Sequence, residues 1–169
     1  PGRLFPPSDL GLLDAPDRDL WQRPDQIMDA MGIADASVVA DIGAGSGWFT
    51  IRLARRVGPQ GLVFAEDVQT EMINAITRRV QREGLTNVRP VHGQNSDPRL
   101  PAGAMDAILI VDAYHEVEDR VTMLANLAMD FASIASAEYA DVLAKANRKE
   151  QLDQFPVGTG PFSFVAYQK

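Results

Sequence analysis

The stretch "DIGAGSG", residues 41–47, combines an acidic side chain with closely spaced glycines. Glycines in such a turn allow the backbone to approach a ligand closely. No lysine follows them, so the stretch does not match the phosphate-binding loop G-x-x-x-x-G-K-[ST]. In the dinucleotide fingerprint G-x-G-x-x-G, Gly43 and Gly45 fit, but Trp48 occupies the third glycine position. A nicotinamide-dependent oxidoreductase is therefore the weaker alternative.

Asp41 indicates a ligand that carries positive charge. A carboxylate at the end of a strand, just before the turn, repels a pyrophosphate and attracts an ammonium or sulfonium group. S-adenosylmethionine carries both of these charges, and its ribose offers two hydroxyls. An acidic residue that accepts such hydroxyls is expected about 20 residues further on, at the end of the next strand. Asp67, with Glu66 beside it, fits this position. The alternative is that Asp41 and Asp67 only cap turns.

Apolar runs alternate with amphipathic segments along residues 23–128. The runs that predict strands are "SVVADIG", "GLVFAED", "NVRPVHG" and "MDAILIVDAY". The segments that predict helices are "RPDQIMDAMG", "GWFTIRLARRVGP", "TEMINAITRRVQREG" and "DRVTMLANLA". This alternation is typical of a Rossmann-like open α/β sheet, mostly parallel, with helices on both faces and ligands at the carboxyl ends of the strands. Pro90 indicates an edge position for the third strand, because proline lacks an amide donor.

From about Leu10 to Asn126, the chain resembles class I S-adenosylmethionine-dependent methyltransferases. "VVADIGAGSGWFT" is similar to the first motif of that family, D-x-G-x-G-x-G, and "GLVFAEDVQTEMI" is similar to its acidic second-strand motif. "LPAGAMDAILIVDAYHEVED" resembles its fourth-strand motif and the loop that follows. The resemblance implies a Rossmann-like fold and transfer of a methyl group from S-adenosylmethionine to an acceptor that the sequence does not identify.

The same resemblance implies roles for individual residues. The cofactor-binding set is Asp41, Gly43, Gly45, Gly47, Glu66, Asp67, Val68, Gln94, Asn95 and Asp112. In that set, the three glycines and the first aspartate line the methionine end of the cofactor. Asp67 holds the ribose, and Val68 packs on the adenine. Gln94 or Asn95 contacts the adenine amine, with Asp97 as an alternative.

Asp112, Tyr114 and His115 follow the fourth strand and, by the same resemblance, face the transferred methyl group. An in-line methyl transfer needs a base only when the acceptor must lose a proton, and a histidine with an ordinary pKa of about 6.5 suits that role. His115 and Tyr114 are therefore the catalytic candidates, and capping or packing is their alternative role. "HEVED" is not a zinc motif, since H-E-x-x-H needs a second histidine where Asp119 stands, and no metal is expected.

The last segment, about Met123–Lys169, resembles part of the dipeptide-binding solute receptors of ABC transporters. "AMDFASI", "SAEYAD" and "PVGTGPFSFVAYQK" carry this resemblance. We interpret the sequence as a chimera within one domain: an irregular arm with at most one helical turn (1–22), a methyltransferase-like core (23–122) and a grafted segment (123–169). The graft predicts a fifth parallel strand at "MDFASI", a helix at "SAEYADVLAKANR" and an antiparallel last strand at "GPFSFVAYQ". A catalytically idle chimeric or engineered scaffold is the alternative function.

Composition limits the partners of the protein. The net charge of −7 disfavours nucleic acid, and the longest apolar run, "AILIV", is far shorter than the ~20 residues of a membrane span. The absence of cysteine excludes disulfides and thiolate metal sites. We expect a small-molecule acceptor, a cytoplasmic location and an exposed sheet edge that permits a homodimer. The chain begins at Pro1 without methionine, so export of a trimmed precursor stays open.

Overall fold

A computed structural model describes residues 4–130 of the chain. Its α-helices are α1 (Arg18–Gln22), α2 (Pro24–Ala30), α3 (Trp48–Val57), α4 (Thr70–Arg82) and α5 (Arg120–Asp130). Its strands are β1 (Val38–Ile42), β2 (Leu62–Asp67), β3 (Val88–His92) and β4 (Ala107–Ile110). Two 3-10 helices, Pro7–Asp14 and Tyr114–Glu116, precede α1 and follow β4. Strands and helices therefore alternate along the core as the sequence predicts.

The four described strands form one parallel sheet in the order β3-β2-β1-β4. In its register, Val39 of β1 pairs with Val63 of β2 and Ala107 of β4. β1 and β2 are buried along almost their whole length, because both faces of a parallel sheet are covered by helices. This sheet confirms the predicted Rossmann-like α/β class. Within the described sheet, β3 pairs only with β2, at the outer position that Pro90 indicates.

Helices cover both faces of the sheet. Successive residues of a strand point to opposite faces, and the two apolar clusters around β1 follow this alternation. Val39 packs in a cluster with Leu53 of α3, whereas Ala40 and Ile42 pack in a cluster with Met123 of α5. Full burial of a side chain such as Leu53 stabilises the fold by roughly 1.5–3 kcal/mol. These clusters fix the positions of the strand ends, which carry the predicted site.

The strand order places a crevice beside β1. After β1 the chain moves outward to β2 and then β3, and it crosses back to place β4 on the other side of β1. The loops after β1 and β4 therefore leave the sheet in opposite directions and open a crevice at the carboxyl ends of the strands, where open α/β sheets bind ligands. Among the described helices, none is both long and apolar enough to cross a membrane.

Two parts of the fold differ from the sequence-based predictions. The sequence predicts an irregular arm before α2 with at most one helical turn, yet the arm contains a 3-10 helix and α1. The sequence predicts that a fifth strand begins at Met129. The start of this predicted strand is wrong, because α5 continues through Asp130. No glycine or proline interrupts the helix-forming residues after Met123. The remainder of that strand, the helix predicted from Ser136 and the predicted last strand lie outside the described residues.

Candidate functional site

A cavity opens at the carboxyl ends of β1, β2 and β4, with an empty volume of about 1080 Å³ that is partly open to solvent. The glycine-rich loop after β1, the end of β2, the loop after β4 and the N-terminal arm form most of its wall. The charged residues in that wall are Arg18, Asp41, Glu66, Asp67, Asp112, Glu116 and Glu118.

The glycine-rich loop runs from β1 into α3 along the cavity. Gly43 has a φ of +66°, and a side chain there would overlap with Ala113 in the loop after β4. Glycine is therefore required for the loops after β1 and β4 to approach each other this closely. Gly45 also lines the cavity, but Gly47 does not. Gly47 immediately precedes α3 with a φ of +77°, a left-handed conformation that glycine adopts without strain, and a Cβ there would make only an ordinary contact with Ile76.

Asp41 lies at the end of β1 and is almost fully buried. Thr50 Oγ1 in α3 donates a hydrogen bond to Asp41 Oδ2 at 2.6 Å. Burial raises the pKa of Asp41 to about 6, and the hydrogen bond from Thr50 opposes this rise. At pH 7, Asp41 therefore places a negative charge in the wall of the cavity, beside the glycine-rich loop.

Two backbone amides hold the carboxylate of Asp67 at the end of β2. The Gly45 N–H donates to Oδ2 at 3.0 Å, and the Gln69 N–H donates to Oδ1 at 2.9 Å. Burial raises the pKa of Asp67, and these two hydrogen bonds oppose the rise. Each carboxylate oxygen has a second acceptor position, so Asp67 is able to accept two hydroxyls while it keeps both amides.

Glu66 is buried between the glycine-rich loop and the loop after β3. The Gly43 N–H donates to Glu66 Oε2 at a long 3.4 Å, and the buried Oε1 has no hydrogen-bond partner. A side chain at Gly93 would overlap with this carboxyl. Burial raises the pKa of Glu66 to about 8, and the nearby charge of Asp67 adds to the rise. At pH 7, Glu66 is therefore a neutral acid that is able to donate a hydrogen bond.

The loop after β4 brings one of its three predicted residues to the cavity. Asp112 lines the wall, and its φ of +55° ends the strand earlier than the sequence predicts. Tyr114 and His115 are exposed and are not among the lining residues. The His115 side chain is 70% exposed, and its Nε2 lies 3.8 Å from Glu116 Oε1. Glu116 and Glu118, which the sequence analysis did not select, line the cavity instead.

The segments after β2 and β3 contribute the predicted adenine contacts only in part. Val68 and Asn95 line the cavity. Gln94 is exposed, its backbone N–H bonds to the carbonyl of Asp97 at 2.7 Å, and neither residue belongs to the lining. Among residues 4–130, no group of three or more histidine, aspartate or glutamate side chains is arranged to hold a metal ion.

The N-terminal arm supplies lining residues that the sequence analysis missed. The Phe5 N–H donates to Glu116 Oε2 at 3.1 Å, and Gln69 Nε2 donates to the Phe5 carbonyl at 3.0 Å. Phe5 thus connects the loops after β2 and β4 across the cavity. Arg18 of α1 is the only basic side chain among the described lining residues. The apolar residues of the arm were the available signal: they indicate that the arm lies over the domain, but not which of its residues line the cavity.

A short part of the chain is similar to peptide receptors. The dipeptide-binding protein of Escherichia coli is 63% identical over 46 residues, which are 27% of this chain and 9% of that protein. The chain thus spans less than a tenth of the length of this relative. A match this short does not make the chain a peptide receptor, and it is consistent with the chimera that the sequence predicts.

The longer similarities are to methyltransferases. The demethylmenaquinone methyltransferase of Geobacillus stearothermophilus is 30% identical over 107 residues, 63% of this chain but only 45% of that protein. The solved structure of a SAM-dependent methyltransferase from Aquifex aeolicus is 31% identical, has a TM-score of 0.72 and covers 75% of this chain and 68% of its own. The family model described as "Methyltransferase domain" matches residues 39–129, just over half of the chain. With the glycine-rich loop and the strand-end carboxylates inside that match, the chain belongs to the methyltransferase domain family.

Proposed function

We propose that the chain is the S-adenosylmethionine-binding core of a methyltransferase that acts on a small-molecule acceptor. The observation that carries the proposal is the Asp67 carboxylate, held by two backbone amides at the end of β2 in the wall of an acidic cavity. Membership of the methyltransferase domain family and the similarity to the Aquifex aeolicus enzyme support it.

The charges of the cavity fit this cofactor better than a dinucleotide. Among the described lining residues, six are acidic and one is basic. Carboxylates in a poorly solvated wall attract a sulfonium and an ammonium group and repel a pyrophosphate. The donor and acceptor set therefore fits S-adenosylmethionine, which disfavours the nicotinamide alternative.

The structure suggests how the predicted contacts divide along the cavity. We assign the ribose hydroxyls to Asp67 and the adenine to Val68 and Asn95, because all three line the cavity and Val68 directly follows Asp67 in the chain. The methionine end then lies along Asp41 and Gly43. Neither Gly47 nor Gln94 lines the cavity, so we assign them no contact with the cofactor.

The contribution of the chain to methyl transfer is positioning and exclusion of water. When bound, S-adenosylmethionine supplies an electrophilic methyl group on a positively charged sulfur. Alignment of the reacting atoms and removal of water carry most of such a displacement. The apolar side chains available for this purpose in the cavity wall include Leu4, Phe5, Leu13, Trp48, Phe49 and Met72.

A general base is needed only for an acceptor that loses a proton. His115 and Tyr114 would need to move to serve, because neither lines the cavity. We propose the carboxylates of the loop after β4 for this role. Asp112 and Glu118 are better placed than Glu116, whose Oε2 already accepts the Phe5 amide.

The proposal is tested by replacing the ribose-binding carboxylate. Asp67→Asn should weaken the binding of S-adenosylhomocysteine by about 10- to 100-fold, because charge-assisted hydrogen bonds worth roughly 1.5–3 kcal/mol are lost. Isothermal titration calorimetry measures the change. Asp25→Asn, at an exposed aspartate of α2, is the matched control and should bind like the wild-type protein.

Three results would contradict the proposal: tighter binding of NAD than of S-adenosylhomocysteine, unchanged affinity in Asp67→Asn, or binding of neither ligand by the wild-type protein. Binding of neither ligand would favour the idle scaffold. Methyl transfer needs its own assay, in which release of S-adenosylhomocysteine is followed with small amines, thiols and hydroxyl compounds as acceptors. If Asp67→Asn reduces both turnover and ligand binding, the result supports the proposed methyltransferase activity.

The remaining expectations on organisation and partners are also proposals. The single domain with an arm (1–22), a core (23–122) and a graft (123–169) is supported by the arm lining the cavity of the core. The net charge of −7 supports the absence of nucleic acid partners. β3, outermost in the described sheet, offers an edge for a homodimer, and sedimentation velocity tests this. A cytoplasmic location rests on the composition alone.

A further inference from the structure

Arg18 is a buried cation in an otherwise acidic cavity. Among the described lining residues it is the single basic side chain beside six acidic ones, of which Glu66 is neutral at pH 7. S-adenosylmethionine carries one anionic group, the α-carboxylate of its amino-acid end. We infer, on the basis of the proposed function, that Arg18 is the residue that binds this carboxylate.

Packing holds the Arg18 guanidinium in place before any ligand arrives. The residue is only 8% exposed, and its Cζ lies 4.4 Å from the centroid of the Trp48 ring and 5.9 Å from that of Trp21. Nη1 donates a hydrogen bond to the Leu13 carbonyl at 2.6 Å. A cation over aromatic rings is attracted to their faces, and a group that is already fixed loses little freedom on binding.

The guanidinium retains hydrogen-bonding capacity for a ligand. Arginine has five N–H donors, and among the described residues the Arg18 guanidinium makes one hydrogen bond, from Nη1 to the Leu13 carbonyl. Nη2 lies 3.8 Å from Oδ2 of Asp112, which is too far for a hydrogen bond. The Asp112 side chain is also 69% exposed, so it neutralises Arg18 only weakly. A ligand carboxylate is the group that the planar guanidinium pairs with best.

Arg18 lies at the end of the cavity that the glycine-rich loop forms. Its stacking partner Trp48 is the first residue of α3 and directly follows that loop. Burial lowers the pKa of Arg18, and the charges of Asp112, Asp14 and Asp41 oppose this, so Arg18 stays cationic. An amino-acid group bound here has Arg18 available for its carboxylate and Asp41 for its ammonium group.

The test compares two ligands that differ only in the carboxylate. Arg18→Met should weaken the binding of S-adenosylhomocysteine by about 10- to 100-fold and that of decarboxylated S-adenosylhomocysteine by less than about 2-fold. Calorimetric titration supplies both affinities. The matched control is Arg52→Met: Arg52 stacks on the same Trp48 ring at 3.6 Å and pairs with Asp19, but it does not line the cavity. Both ligands should bind this variant as they bind the wild-type protein.

The decarboxylated ligand also reports whether the variant is folded. Equal weakening of both ligands by Arg18→Met would overturn the inference, because it would show a role in packing alone. Unchanged affinity for both ligands would overturn it as well. In these two cases the proposed function stands, since the wild-type protein binds. A wild-type protein that binds neither ligand would overturn the proposed function and the inference together.

Discussion

Three carboxyl groups meet at the ends of β1 and β2, and the hydrogen bonds around each one differ. Asp67 accepts two backbone amides and Asp41 accepts one short hydroxyl bond. Glu66 accepts only one long amide bond, and its pKa rises to about 8, against about 6 for Asp41. Because a charged carboxylate in a buried site needs donors, Glu66 is the group that keeps its proton. At pH 7 the wall therefore presents carboxylates and one neutral acid.

Because Glu66 keeps its proton in the folded chain, we expect its contribution to the free energy of unfolding to depend on pH. Its pKa is about 8 in the folded chain and 4.5 in the reference state, so its contribution to stability is complete below pH 4.5 and is lost as the pH rises to about 8. Glu66→Gln removes the titration. We expect the free energy of unfolding of the variant to gain about 1.5 kcal/mol relative to the wild-type protein between pH 6.5 and pH 8.

Urea denaturation at the two pH values measures this gain. The interval lies above the pKa of Asp41, which therefore contributes little to the difference. Glu71→Gln, at an exposed glutamate of α4, is the control and should show no gain. A constant difference in unfolding free energy between Glu66→Gln and the wild-type protein at both pH values would show that Glu66 is ionised when buried.

Residue type and spacing were sufficient to predict Asp41 and Asp67 as neighbours at one sheet edge, because a strand end after an apolar run is a local feature. They were not sufficient for Arg18. Its place in the cavity depends on the Leu13 carbonyl and the Trp48 ring, contacts that no periodicity in the arm encodes. The orientation of Tyr114 and His115 depends in the same way on a 3-10 turn that the sequence does not predict.

At the scale of elements, the sequence predicts best the helices and strands that show a clear local pattern of apolar residues. α3 and α4 each show one apolar face and lie where the sequence predicts them. The helix α5 continues past the predicted start of the fifth strand, because no glycine or proline ends it there. Polar contacts as well as apolar contacts fix the positions of the elements relative to one another. Asn87, just before β3, is the clearest example.

Asn87→Ala should destabilise the protein by about 2 kcal/mol or more. The buried Nδ2 of Asn87 donates to the carbonyls of Ala54 and Gly58 at 2.7 Å each, so it ties the end of α3 to the start of β3. Its removal leaves two carbonyls without that donor, and each lost hydrogen bond costs roughly 1 kcal/mol or more. Chemical denaturation measures the change in the free energy of unfolding.

The same replacement at an exposed position is the control for that experiment. Asn74→Ala on α4 should change the free energy of unfolding by less than about 0.5 kcal/mol. If Asn87→Ala were as stable as Asn74→Ala, the contact between α3 and β3 would not depend on this side chain.

At the scale of the whole molecule, the family match and the cavity coincide. Residues 39–129 belong to the methyltransferase domain family, and the acidic wall is built mostly from the strand ends and loops within that range. The arm before it supplies Arg18, the single basic side chain among the described lining residues, and Phe5, which connects the loops on the two sides of the cavity. The core and its arm therefore line one cavity together.

The most direct measurement is a crystal structure of the protein with S-adenosylhomocysteine, with a parallel soak in NAD. We predict that both ribose hydroxyls of S-adenosylhomocysteine lie at hydrogen-bond distance, about 3 Å, from the carboxylate of Asp67, with the adenine beside Val68. A pyrophosphate of NAD seated on the glycine-rich loop, or S-adenosylhomocysteine bound away from Asp67, would contradict the account.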